Sequence, residues 1–280
     1  MHFISGLPRS GSTLLGALLK QNPRFHASMS SGLYALVSAN LGIMSAGSEV
    51  SLLMEASQRP TILRALIDAY YAETTTRHEV IFDTNRGWSA RMPLIEELYP
   101  QAKVIACVRD VPWIMDSVER LTRRDPFENT RLYSGEARAT VYSRVESLAR
   151  QDSLVGFPWS ALKEAYYGEQ SESLLIVDYE LLARAPEKVL PLIYQFIDEP
   201  WYEGHDFNNV EYTASEFDEA LGVKGLHTVR RKVSFEPRKT ILPPDLFKKF
   251  EAMDFWNDLA ASKANVITAH RQEQRGQNES

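Results

Sequence analysis

Phe3-Ile4-Ser5-Gly6-Leu7-Pro8-Arg9-Ser10-Gly11-Ser12-Thr13-Leu14 reads as a strand, a tight turn and the first turn of a helix. His2 to Ser5 is the strand. Thr13 to Gln21 is the helix, stopped by Asn22-Pro23. Gly6 and Gly11 let the backbone turn sharply and approach a ligand closely. A helix that starts at such a turn points free N–H groups and its positive dipole end at an anion. Ser10, Ser12 and Thr13 add hydroxyls, and Arg9 adds a permanent charge with a bidentate fork. The turn is expected to cradle a phosphate. Its glycine spacing is that of G-x-x-x-x-G-K-[ST], yet Ser12 stands where the lysine belongs. The cation has moved into the loop as Arg9, so a P-loop kinase or ATPase would lack the residue that reaches the β- and γ-phosphates.

Outward from this turn, short apolar runs alternate with helical periodicity. Strands are expected at Val80 to Phe82, Lys103 to Val108 and Leu174 to Val177. Helices are expected at Ile62 to Thr76, Ser89 to Leu98, Trp113 to Arg123, Glu136 to Gln151, Trp159 to Tyr167 and Pro186 to Phe196, and near Leu246 to Met253. Such alternation implies βαβ units around a parallel sheet, with ligands held at the carboxyl ends of the strands. Residues 27–50 are rich in Ser, Gly and Ala and read as a cleft lining or as helices. From Glu199 to Arg238 the chain is polar and irregular, and from Ala264 it is expected to fray. The division expected is one domain over 1–260 and a polar tail over 261–280.

Composition narrows the function classes. With 31 Lys+Arg against 37 Asp+Glu, the net charge of -6 argues against a nucleic-acid coat and leaves only local basic sites. A single cysteine, Cys107, excludes a disulfide framework and a cysteine-based zinc site. No run of about 18 apolar residues is present, and the N-terminus has no basic n-region, so neither a membrane span nor a signal peptide is expected. A reducing, cytoplasmic setting fits these features.

The run from Phe3 to Leu14 closely resembles the 5′-phosphosulfate loop of sulfotransferases that use 3′-phosphoadenosine 5′-phosphosulfate, whose pattern is P-[KR]-[ST]-G-[ST]-[ST]. The family's second motif is a strand, an arginine, and a serine eight residues on, which together hold the 3′-phosphate. Here Val104 to Val108 is followed by Arg109, with Ser117 on the next helix. The stretch Leu98-Tyr99-Pro100-Gln101-Ala102-Lys103 running into Val108-Arg109-Asp110 looks like the tyrosylprotein branch. An arginine at a strand end is by itself more often a surface ion-pair residue; the two motifs together are specific. The resemblance implies a P-loop-type α/β three-layer sandwich with a central parallel sheet flanked by helices. It implies cofactor binding by Pro8, Arg9, Ser10, Gly11, Ser12 and Thr13, and by Arg109 and Ser117. It implies no metal. Asp83-Thr84-Asn85-Arg86 resembles an Asn-Lys pair whose lysine contacts the transferring sulfuryl group, with Arg86 in the lysine's place. Val177-Asp178-Tyr179-Glu180-Leu181, with Pro186 following, resembles the family's Y-E-x-L…P segment, in which Tyr179 would meet the adenine. Lys224 to Val233 is the densest basic stretch and occupies the place of the family's basic loop, where Arg230 or Lys232 would contact phosphate or sulfate.

The general base is not carried over. Small-molecule sulfotransferases place a histidine shortly after the second strand, where this chain has Asn85-Arg86-Gly87-Trp88. The tyrosylprotein enzymes place a glutamate about twenty residues past the loop arginine, where this chain has Ala27 to Gly32 without a carboxylate. Asp83 and His26 are the nearby candidates. Leu14 replaces the aromatic that follows the loop in steroid and phenol sulfotransferases, which favours the tyrosylprotein-like and bacterial branches. The implied reaction moves a sulfuryl group to an acceptor hydroxyl, of a peptide tyrosine or a small molecule. Related enzymes often pair, so a homodimer is open. The alternatives are a P-loop kinase and a nucleotide-binding relative without turnover.

Overall fold

Val104, Ala106 and Val108 turn to one face of their strand, and Ile105 and Cys107 to the other; all five are fully buried. That pattern requires cover on both faces, which a parallel sheet between helix layers supplies. The computed structural model describes residues 1–124, 132–210, 212, 218–219, 227, 229 and 232–268. Its strands are β1 (His2–Gly6), β2 (Phe25–Ala27), β3 (Val80–Thr84), β4 (Val104–Val108), β5 (Leu174–Asp178) and β6 (Asn265–Ile267). They form one sheet in the order β2-β3-β1-β4-β5-β6, and every pairing is parallel.

Among the described residues the helices are α1 (Ser12–Leu19), α2 (Leu33–Ile43), α3 (Glu49–Leu52), α4 (Gln58–Tyr70), α5 (Ala72–Thr75), α6 (Met92–Leu98), α7 (Val111–Arg124), α8 (Val141–Ala149), α9 (Gly156–Tyr167), α10 (Tyr179–Arg184), α11 (Pro186–Phe196) and α12 (Pro244–Lys249). One face of the sheet packs α1 and α11 through Leu15, Leu18, Leu190 and Ile193. The opposite face packs α2, α4, α6, α7 and α9 through residues such as Val37, Ile67, Ile95, Ile114 and Leu162. This is the expected three-layer sandwich. No helix among the described residues is long and apolar enough to cross a membrane.

The topology places the site. β1 lies between β3 and β4, and the crossovers through α1 and α6 leave on opposite faces. Ile4 pairs with Thr84 on one side and Ile105 on the other, and Val108 pairs with Asp178. The segments after β1, β3, β4 and β5 therefore leave the sheet along one edge, at the switch point where such sheets bind ligands.

Several boundaries differ from expectation for identifiable reasons. β2 is three residues long with His26 at its centre, too short for a periodic signal, but Phe25 and Ala27 are buried beside Phe82. The stretch from Ala264 does not simply fray: Asn265–Ile267 is the edge strand β6, with Val266 packed on one face and Ile267 on the other. The helix expected from Ser89 begins as a 3-10 turn, Arg86–Arg91, before α6. The helix expected from Glu136 is a 3-10 turn, Gly135–Arg138, followed by α8, where Thr140 and Ser143 form a capping box.

Candidate active site

The loop after β1 is built to stay open to an anion. Gly6, Arg9 and Gly11 all have positive φ, of 109°, 59° and 91°. A Cβ on Gly6 would lie 2.1 Å from the Cys107 carbonyl oxygen, so the loop leaves β1 in contact with the β4 backbone. Leu7 N–H donates to that same carbonyl at 2.9 Å. The Ser10 hydroxyl is fully buried and reaches the carbonyls of Leu7 and Cys107, the latter at 2.7 Å. Ser10 thus holds the loop's shape with its side chain, and only its backbone remains for a ligand. Gly11 caps α1 without a side-chain hydrogen bond, and the first turn holds no acidic residue. Free N–H groups and a positive helix end remain.

Arginines ring this opening. Arg9 Nε donates to Ser117 Oγ on α7 at 3.1 Å, tying the loop to the helix after β4. Burial, then the neighbouring Arg109, brings the Arg9 guanidinium down to about 10. Arg109 lies 4.6 Å over the Tyr179 ring, a cation–π contact worth about 0.5–2 kcal/mol. Tyr179 in turn packs against the loop: a Cβ on Gly11 would meet its Cδ2 at 2.8 Å. Among the described residues Arg109 Nε is buried without a hydrogen-bond partner, and so is Thr84 Oγ1 at the end of β3. Buried donors of this kind are costly unless a ligand or water completes them.

Arg86 arrives from the other side. Ser5 of β1 donates to the Arg86 carbonyl at 3.0 Å and meets the Ser89 hydroxyl at 2.7 Å, which pins the 3-10 turn over the centre of the sheet. Arg86 is exposed to water yet ringed by protein, and desolvation holds its guanidinium below the ordinary arginine range. Gly87 sits directly under the Tyr34 ring, where a Cβ would lie 2.1 Å from Cζ. Tyr34 meets Trp88 edge-on at 5.2 Å. The Ser/Gly stretch before α2 lies along the ends of β2 and β3, with Ser31 N–H donating to the Thr84 carbonyl at 3.2 Å. It forms the wall beside Arg86.

Described residues from later in the chain meet the same edge. Tyr212 and Val229 form an antiparallel bridge, and the Tyr212 hydroxyl accepts the Met29 N–H at 3.3 Å, just beyond β2. Further on, Arg238 pairs with Asp116 of α7 at 2.7 Å, and Asp116 also accepts from Arg120, Thr240 and the Ile241 N–H. Asp116 is fully buried. Desolvation works against its ionisation, but Arg120, the Ile241 N–H and Arg238 outweigh it, and the carboxyl stays below the usual range. His227 donates its backbone N–H to Asp218 Oδ2 at 3.0 Å, and its Nδ1 lies 2.6 Å from Asp218 Oδ1.

A model described as the Sulfotransferase family matches residues 2–203. The chain belongs to that family. It is 25% identical over 217 residues to protein-tyrosine sulfotransferase 1 of Danio rerio, covering 71% of this chain and 53% of that protein. It is 27% identical over 214 residues to protein-tyrosine sulfotransferase 2 of Gallus gallus, covering 71% and 51%. The chain thus spans about half the length of these relatives. A solved sulfotransferase from Alicyclobacillus acidocaldarius superposes with a TM-score of 0.49 at 16% identity, covering 93% of this chain and 92% of that one.

Measured against the sulfotransferase motifs, the structure brings together Arg9, Ser117, Arg109, Tyr179 and the α1 N-terminus. Ser117 meets Arg9 rather than Arg109. Arg86 sits at the next strand end. Lys232 is exposed beside the late segment, and Arg230 lies outside the described residues. The two base candidates lie before the strand ends. His26 pairs with Ile81, three residues or about 10 Å below the end of β3. Its ring packs against Tyr71 and His78, and burial, then His78, lowers its pKa. Asp83 is fully buried, with the Tyr71 hydroxyl on one oxygen at 2.5 Å and Trp88 Nε1 on the other at 2.6 Å. It buckles the turn after α4 and the Arg86 turn to β3. Asp83→Ala strands both donors, so urea unfolding should show a loss of about 2–4 kcal/mol, while the pH dependence of turnover keeps its shape. A displaced pH limb with little loss of stability would return Asp83 to the chemistry.

Sequence reading missed Asp218 and His227 as a pair. Their only signal is a histidine inside the basic stretch, with an aspartate nine residues earlier.

Proposed function

We propose that this chain transfers the sulfuryl group of 3′-phosphoadenosine 5′-phosphosulfate to an acceptor hydroxyl, with a phenol such as a peptide tyrosine as the acceptor class. The observation that carries the reading is Arg9 at φ 59° inside a P-loop whose lysine position is Ser12, facing a second arginine whose buried Nε lacks a partner. Attack on sulfur resembles attack on phosphorus: charge builds on the leaving phosphate oxygen and on the transferring group, and catalysis rests on positioned cations. In this reading Pro8, Ser10, Gly11, Ser12 and Thr13 hold the 5′-phosphate mainly through the backbone and the start of α1. Arg9 stands over the bridging oxygen, and Ser117 orients it. Arg109 holds the 3′-phosphate, with Tyr179 beneath its guanidinium. Arg86 faces the transferring group from the acceptor side, and Lys232 and Arg230 close the basic rim. Similarity to the two vertebrate protein-tyrosine sulfotransferases supports tyrosine as acceptor. So does acidity, because a phenol near pKa 10 yields its proton more readily than an alcohol.

Titration calorimetry with 3′,5′-adenosine bisphosphate beside Mg-ATP tests this reading. Tight binding of the bisphosphate and weak binding of Mg-ATP are expected. Preference for Mg-ATP would overturn it in favour of a kinase with a relocated cation.

A further inference from the structure

We infer that His227, oriented by Asp218, is the general base that takes the acceptor's proton. The inference rests on the sulfuryl-transfer reading and offers a base besides Asp83, whose two oxygens are engaged, and His26, which lies below the end of β3. Asp218 is nearly fully buried and clamps His227 twice, at the backbone N–H and at Nδ1. A carboxylate on Nδ1 fixes that nitrogen as the protonated one and puts the basic lone pair on Nε2. The same contact stabilises the imidazolium that forms when Nε2 accepts a proton. This is the orienting role a third group plays for a catalytic histidine.

The clamp also stands at the right place. Two residues on, Val229 bridges to Tyr212, whose hydroxyl is tied to Met29 at the end of β2. That is the acceptor wall beside Arg86, opposite the Arg109 side where Arg238 anchors the segment to α7. Asp218, Arg9 and Arg86 are among the charged groups that act on the His227 ring. Burial comes first and the two arginines add to it, outweighing Asp218 and lowering the pKa. The neutral, proton-accepting form therefore predominates at neutral pH.

The step balances without a further reagent. The acceptor oxygen forms its bond to sulfur while the bond from sulfur to the phosphate oxygen breaks. The hydroxyl proton moves to His227 Nε2. The electron pair of the broken bond stays on the leaving 3′,5′-bisphosphate, beside Arg9.

The test compares wild type, His227→Gln, His227→Ala and Asp218→Asn, using the cofactor with a series of phenols of decreasing pKa. With a tyrosine-like phenol, kcat should fall by about 10²- to 10⁴-fold in the His227 variants. Bisphosphate affinity, read by calorimetry, should stay within a few fold and so report an intact fold. With a nitrophenol already ionised at the assay pH, the loss should shrink below about tenfold, because no proton remains to be taken. The wild-type kcat/KM should fall on the acid side below the ordinary histidine range, and His227→Gln should lose that limb. Asp218→Asn, which keeps the shape but reverses the tautomer preference, should lower kcat without raising KM. An equal loss on acidic and ordinary phenols, or a retained acid limb in His227→Gln, overturns the assignment. A wild type that binds bisphosphate but sulfates no phenol overturns the phenol-transfer reading beneath it, and the assignment with it.

Discussion

Arg9→Ala lowers kcat by about 10³-fold or more and weakens 3′,5′-adenosine bisphosphate binding by no more than about tenfold. The asymmetry follows from where Arg9 stands. In the proposed reading the ground-state phosphate rests on backbone N–H groups of the loop and the start of α1, which the substitution leaves in place. Arg9 is aimed by its donation to Ser117 and faces the Arg109 guanidinium, so it is largely desolvated and its charge is poorly screened. Charge of this kind acts most on the bridging oxygen as negative charge builds there, and it stabilises the transition state more than the bound ground state. Arg109→Ala should show the converse: a loss of about 10²-fold in bisphosphate affinity, with the larger change in KM. Single-turnover rates and calorimetry on both variants separate the two roles. Equal losses in binding and turnover for Arg9→Ala would make it a ground-state ligand only.

Gly6→Ala should lower stability by about 3–5 kcal/mol and abolish bisphosphate binding. Two penalties combine. At φ 109° an L side chain is strained whatever the space, at about 1–3 kcal/mol. The added Cβ would also sit 2.1 Å from the Cys107 carbonyl oxygen, which is backbone and cannot swing away. That carbonyl already accepts from Leu7 N–H and Ser10 Oγ, so pushing it aside strips the loop of its anchors. Urea unfolding should show a lower midpoint at an unchanged slope. A variant with the wild-type midpoint and intact binding would mean that the loop leaves β1 by another path.

Much of this was readable because local chemistry and tertiary demand agree at particular residues. Phe3 to Leu14 is a strand, a two-glycine turn and a helix in sequence pattern and in structure alike, since each glycine is needed where the backbone turns left-handed. Val104 to Val108 reads as a buried strand because both of its faces are apolar. What the sequence pattern did not record has equally local causes. β2 and β6 are three residues each and take their stability from pairing with β3 and β5, which no periodicity records. Asp83 has the residue type and position of a base, yet Tyr71 and Trp88 arrive from turns elsewhere and occupy both oxygens. Ser10 matches the phosphate-loop pattern, but its hydroxyl faces inward to carbonyls set by the β1–β4 register. His227 and Asp218 are nine residues apart in sequence, and no pattern in the sequence marks their pairing.

Incubation of the protein with 3′-phosphoadenosine 5′-phosphosulfate and a tyrosine-containing peptide, followed by high-resolution mass spectrometry of the peptide, tests the central claim most directly. The account predicts a sulfated tyrosine, formed in step with 3′,5′-adenosine bisphosphate and absent with Arg9→Ala. A phosphorylated peptide formed from Mg-ATP, with no sulfated product from the phosphosulfate donor, would contradict it.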